Sequence, residues 1–221
     1  MGSTLTRTTQ VGPPGAADPT AFGWGDFSFS WGEHVCAVFE NPEQQMAVMV
    51  PFVTHGLRAG QRCVWVSPSA SASRFRRALL RCGADLPTLE ASGQLIIISD
   101  VEFYLRDGLF DPDRTLELGL ALLEDGQRCG WTAMRVAGEA SFLRTGLIDV
   151  GLWERYEDQV TRCVAGAPLV AVCQYDRRRV PSSFIAAALR THPVVILGET
   201  ICHSPFFAAD VPSVAGRRDL L

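Results

Sequence analysis

The stretch EHVCAVFENPEQQ, residues 33–45, changes character twice within a few residues. His34 to Phe39 is a short, continuous apolar run, the pattern of a strand covered on both faces. Glu40 and Asn41 follow as a polar turn, with Asn41 suited to cap a helix and Pro42 to its first helical position. Met46, Met49, Val50, Val53 and Leu57 then recur at helical spacing up to the glycines at 56 and 60. Pro51, inside that pattern, is expected to kink the helix. A buried strand leading through a tight turn into a helix is the unit that carries a glycine-rich phosphate loop in many nucleotide-binding proteins. Here the turn holds acids, an Asn and a Pro instead.

Outward from this unit the alternation repeats. RCVWVS (62–67), GQLIIIS (93–99), WTAMRVAGEAS (131–141), PLVAVCQYD (168–176) and HPVVILGE (192–199) read as further strands. The helices between them carry inward faces of Phe75, Leu79 and Cys82; of Leu116, Leu120 and Leu123 after the Asp111-Pro112 start; of Leu152, Tyr156, Val160 and Cys163; and of Phe184 and Leu189. Glu157, beside Tyr156, is expected to be exposed. This alternation predicts an α/β fold with a mostly parallel sheet and helices on both faces. In such sheets ligands bind at the carboxyl ends of the strands. Residues 1–30 and 209–221, rich in small and turn-forming residues and without a period, are expected to be flexible tails around an ordered domain over 31–208.

The chain has 221 residues, enough for one well-cored domain. Its 20 basic residues are all arginine, which excludes chemistry that needs a lysine, including the phosphate-loop lysine and Schiff bases. Net charge is −4, and no basic stripe appears beyond Arg177, Arg178 and Arg179, so direct nucleic-acid binding is not expected. No signal peptide pattern and no membrane-spanning run is visible, which suggests a cytoplasmic protein away from the membrane. Seven cysteines without framework spacing suggest reduced thiols.

Polar or soft residues inside apolar strands are the candidates for function. Arg135 needs a partner if buried, and Glu139 shares its face by the period of two. Arg135 therefore either pairs with a carboxylate there or holds a ligand's acidic group. His34 and Cys36 also share a face. With Cys173, Cys202 and His203 they offer donors for a metal or a haem, although no compact ligand pair is present. A strand cysteine is equally a small buried hydrophobe. A cysteine nucleophile paired with a histidine is the enzymatic alternative, but no strained elbow or glycine-rich helix start presents one.

Together, EHVCAVFENPEQ, PFVTHGLRAGQRCVWVS, GQLIII, RVAGEAS, the Tyr156-Glu157 pair, CQYD and HPVVILGE resemble the MEDS domain, the sensory part of dichloromethane-regulator-type proteins, over about residues 31–208. The resemblance implies a RecA/KaiC-like three-layer fold that has lost its phosphate loop and acts as a ligand sensor rather than an enzyme, without a resident cofactor. It implies a small ligand, associated with hydrocarbon derivatives, at the carboxyl edge of the sheet. His34, Cys36, Glu40, Arg135, Glu139, Cys173, Tyr175 and Asp176 are then the expected ligand-binding residues. His203-Ser204 departs from the Asn-Pro-aromatic-aromatic pattern expected near the end. Output is expected to pass through a regulatory partner, such as a histidine-kinase-like or anti-sigma-type protein, or through a homo-oligomer.

Overall fold

The computed structural model describes residues 29–198 and 200–207, so the expected tails lie outside the described residues except for positions 29 and 30, as does Glu199. Chain order is β1 (His34–Phe39), α1 (Pro42–Arg58), β2 (Arg62–Ser67), α2 (Ser69–Arg81), α3 (Leu86–Ala91) and β3 (Leu95–Ser99). Then come α4 (Asp100–Tyr104), a small hairpin of β4 (Leu105–Arg106) and β5 (Leu109–Phe110), and α5 (Pro112–Arg128). After them run β6 (Met134–Glu139), a 3-10 turn (Ser141–Thr145), α6 (Val150–Val164), β7 (Leu169–Asp176), α7 (Ser182–Thr191), β8 (Val194–Leu197) and β9 (Thr200–His203).

The main sheet has the order β3-β2-β6-β7-β1-β8-β9. Every neighbouring pair in it is parallel except β8 and β9. From β1 the chain steps one way to β2 and β3, then reverses through β6 and β7 to β8. Parallel crossovers are right-handed, so this reversal puts the helices of the two halves on opposite faces. One core packs α1, α2 and α3 against Val35, Ala37, Trp65 and Val172. The other packs α4 to α7 against Cys36, Val64, Ala171, Cys173 and Tyr175. The continuous apolar strands thus reflect burial on both faces, as in other parallel sheets.

Several expectations are corrected in detail. Cys82 and Cys163 are exposed, and so is Leu120, at 40 %. Glu157 is fully buried. The strand over 194–197 is the last central strand of the sheet, with β9 returning antiparallel along its outer edge. The β4–β5 hairpin turns at Asp107-Gly108, both with positive φ (53° and 79°), the backbone of a tight two-residue turn. Among the described residues no helix is long and apolar enough to cross a membrane.

Candidate functional site

The turn after β1 is closed by its own side chains. The Asn41 side-chain oxygen accepts the Gln44 N–H at 2.9 Å, and Gln44 Oε1 accepts the Glu40 N–H at 2.8 Å. The arrangement is close to a capping box, with Gln44 reaching one residue past the cap to Glu40. Pro42 contributes no N–H, and Glu43 adds a negative charge in the first turn. The Gln44 and Gln45 N–H groups are bonded to Asn41, and the acid opposes a phosphate at the positive dipole end.

The carboxyl edge beside this turn is also occupied from within. Gln45, on the second turn of α1, donates to Glu139 Oε2 and to Gln174 Oε1, each at 3.0 Å. Ser141 donates to the other Glu139 oxygen. Glu40 pairs with Arg177 at 2.7 Å across half-exposed surface, where such a pair is worth little. Asp176 holds the following turn by accepting from the Arg178 N–H at 2.9 Å. Arg135 lies deeper under α1, donating to Gln61 Oε1 at 2.6 Å and to the Phe52 carbonyl at 3.3 Å, with its guanidinium over the Phe52 ring. Four residues of strand, about 13 Å, separate it from Glu139, so the expected Arg135–Glu139 pairing is not made. Gly56 makes room for it, because a Cβ there would meet Arg135 Cδ at 2.6 Å.

The densest polar cluster is on the opposite face, mid-sheet, under α6 and α7. His34 Nε2 lies 3.2 Å from Cys173 Sγ and 3.3 Å from Glu157 Oε2. Cys173 Sγ lies 3.4 Å from that same oxygen, and His192 Nε2 lies 3.7 Å from it. Tyr175 donates to Glu157 Oε1, and Trp153 Nε1–H donates to the Tyr175 oxygen at 3.1 Å. Cys36, in register beside Cys173, faces the same core.

The outer hydrogen bonds fix the tautomers. His192 Nδ1 sits 2.8 Å from the Ala188 carbonyl, which can only accept, so Nδ1 carries the proton. His34 Nδ1 is 2.8 Å from Thr161 Oγ1. That hydroxyl has one proton and spends it on the Thr191 or Glu157 carbonyl, at 2.7 and 3.1 Å, so His34 Nδ1 is the donor. Both Nε2 lone pairs then point inward. Burial holds His34 well below the usual imidazole range, with His192 adding to the effect, and pushes His192 down to about 3. The Glu157 carboxyl is pushed up to about 7 by burial, against the opposing hydrogen bonds from Tyr175 and Cys173. Burial, with Glu157 beside it, raises the Cys173 thiol well above its ordinary value.

Next to this cluster lies a cavity of ≈ 70 Å³ with almost wholly apolar walls. Phe103 and Tyr104 of α4, Leu116 and Gly119 of α5, Met134 of β6 and Val160 of α6 form much of it, and Cys173 closes its floor. Exposed Leu120 and Cys163 stand at its rim, so it reaches the surface between α5 and α6. Gly138 in the RVAGEAS strand has no room for a Cβ, since the Tyr104 hydroxyl rests on it.

Of the sequence candidates, His34, Cys36, Cys173 and Tyr175 come together. Glu139 sits in a separate network across the sheet, Arg135 is buried under α1 against Gln61 and Phe52, and Glu40 and Asp176 are at the surface edge. Cys202 and His203 are on edge strand β9, His203 exposed. The sequence offers His192 only as one of four histidines that could serve a cysteine nucleophile, beside His34, His55 and His203, and it leaves Glu157 outside the site. The signal for Glu157 was available: Trp153, Glu157 and Thr161 form an i, i+4, i+8 stripe beside Tyr156 and Val160.

A family model described as MEthanogen/methylotroph, DcmR Sensory domain (MEDS) matches residues 33–193. The chain is 24% identical over 166 residues to the transcriptional repressor DcmR of Methylorubrum extorquens. The match covers 74% of this chain and 59% of that protein, so the chain spans less than two thirds of its relative. In structure it is similar to a KaiC-like protein from the hyperthermophilic archaeon Pyrococcus horikoshii OT3, with a TM-score of 0.53 at 12% identity, covering 76% of this chain and 71% of that one. This likeness identifies the RecA-like architecture.

Proposed function

The chain belongs to the MEDS family of sensory domains, and from that premise we propose that it senses a small, mostly apolar molecule held in the cavity between α5 and α6. The supporting observation is the cavity itself. A buried water needs roughly 10–15 Å³ of such volume, so ≈ 70 Å³ accommodates a ligand of about five heavy atoms or fewer. Its walls offer little to a polar ligand, and the carboxyl edge, where an anion would be sought, is filled by the protein's own side chains. The site therefore suits a hydrocarbon derivative better than a nucleotide or an acid. Signalling follows from α6, which supplies Tyr156 and Val160 to the cavity and Glu157 to the neighbouring cluster. A ligand that fits one position of α6 better than another shifts the population between them, and a separate regulatory protein reads the difference.

Dichloromethane, to which the family resemblance points, is a suitable probe. With three heavy atoms and a ceiling of about 1.5 kcal/mol for each, its dissociation constant is no tighter than about 0.5 mM. Gly119→Leu tests the location, because a Cβ added there meets nothing within 4 Å, the rest of the side chain takes up cavity space, and a helical glycine gives way to a better helix former. The expected result is a saturable change in Trp fluorescence or NMR shifts in the parent protein that is lost in a fully folded Gly119→Leu variant. Unchanged binding in that variant would remove the ligand from this cavity.

A further inference from the structure

We propose that His34, Glu157, Cys173 and His192 form a buried binding site for one divalent transition-metal ion of the zinc class. The four ligand atoms lie within 4.8 Å of one another, and all four residues are buried. Bonds of about 2.0–2.1 Å to nitrogen or oxygen and 2.3 Å to sulfur place tetrahedral ligand pairs about 3.3–3.6 Å apart. The separations found are 3.2 Å for nitrogen to sulfur, 3.4 Å for sulfur to oxygen, and 3.3 and 3.7 Å for the two nitrogens to oxygen. For His34, Glu157 and Cys173 a central ion therefore needs shifts of only a few tenths of an ångström, while His192, whose Nε2 is within 4.8 Å of the other ligand atoms, closes in by up to about 1 Å.

The hydrogen inventory supports the same occupant. With both Nδ1 atoms donating outward and the Glu157 carboxyl ionised, two imidazole lone pairs and a carboxylate oxygen converge on a space with a single thiol proton. His192 Nε2, fully buried and aimed into the cluster, has no hydrogen-bond partner. A buried acceptor left this way normally destabilises a fold. An ion accepts all of these lone pairs at once, displacing the thiol proton to solvent. The charges then close: a divalent cation, one thiolate, one carboxylate and two neutral imidazoles sum to zero, as a site sealed from water requires. Outer partners are in place as well, with His192 bonded to the Ala188 carbonyl, His34 to Thr161 and Glu157 to Tyr175. Cys173 is also a wall of the cavity, which gives the ion a route inward. The site does not depend on what the cavity binds.

The test uses the full chain, stripped with chelator and dialysed, then titrated with zinc and separately with cobalt(II). The expected outcome is one zinc retained per chain with a raised Tm, and a cobalt complex showing intense visible bands of tetrahedral geometry plus near-ultraviolet thiolate-to-cobalt charge transfer. Cys173→Ser abolishes the charge-transfer band, whereas His203→Ala leaves it intact. If Cys173→Ser does not fold, the parent spectrum decides, since its charge-transfer band must be present. Absence of zinc retention and of that band overturns the site, as does a band that survives in folded Cys173→Ser or disappears in His203→Ala.

Discussion

Glu157 in the middle of α6 and Cys173 in the middle of β7 meet 3.4 Å apart, both shut away from water. A carboxyl in that position is held up to about 7 by burial. In chelator-treated protein this has a signed consequence. Between about pH 4.5 and 7 the folded chain keeps a proton that the unfolded chain has released, so stability falls as pH rises through that window. His34 and His192, both lowered, act oppositely and weaken the fold as pH drops below about 6.5. Glu157→Gln keeps the acceptor for Tyr175, supplies a donor to an imidazole nitrogen and removes only the carboxyl's part. Its stability relative to the parent is expected to grow with pH and level off above about pH 7, by on the order of 3 kcal/mol. Urea melts of both proteins from pH 5 to 8 check this; parallel curves would refute it.

Gly56→Ala sets two effects against each other. Helix propensity favours Ala by roughly 0.5–1 kcal/mol. The added Cβ meets Arg135 Cδ at 2.6 Å and Cys63 Sγ at 2.8 Å, and Arg135 is held by Gln61 and Phe52 and cannot simply swing aside. Overpacking of this kind costs about 1–3 kcal/mol, so a net loss of stability is expected. A rise in the denaturation midpoint would show that Arg135 is not fixed as described.

The strands were legible because a parallel sheet buried on both faces writes itself as unbroken apolar runs, and β1, β2 and β7 read that way directly. Glu157 was not legible by residue type, since a lone acid beside a core tyrosine is ordinarily the solvated edge of a helix. Only the neighbouring Trp153 and Thr161 show that the buried stripe of α6 is wide enough to include it. His192 was read as the first residue of a strand, whereas it ends α7 and folds its ring back beside His34, with ring centroids 3.8 Å apart. The β4–β5 hairpin carried its own signal in Asp107-Gly108, but two-residue strands fall below what periodicity can register.

Thiol accessibility gives a third prediction. Cys82, Cys129 and Cys163 are exposed, while Cys36, Cys63 and Cys173 are buried. Burial pushes the Cys63 thiol up to about 12, and burial raises Cys163 more modestly. Peptide-mapped alkylation at neutral pH should label Cys82 and Cys129 first, Cys163 more slowly, and the buried three only on unfolding. Selective fast labelling of Cys173 would instead indicate an activated nucleophile.

The capped turn after β1 makes a fourth. Asn41→Ala should lower stability by about 1 kcal/mol, the usual worth of an N-cap side chain. The parent protein should show no Tm shift with millimolar ATP and magnesium, because that helix end has Pro42 in place of one donor, Asn41 bonded to two others and the charge of Glu43 beside them. A clear shift would mean that the nucleotide site persists elsewhere on the edge.

The place of β1 in the sheet has a consequence for how the molecule is made. First in the chain, it lies between β7 and β8, pairing with residues more than a hundred positions later. During synthesis it must stay extended and unpaired while most of the domain emerges, and pairings of such long range are slow and open to aggregation. A nascent chain arrested before Val194 still lacks the second neighbour of its central strand. Completion of the central sheet therefore waits on the final stretch of synthesis rather than on its start.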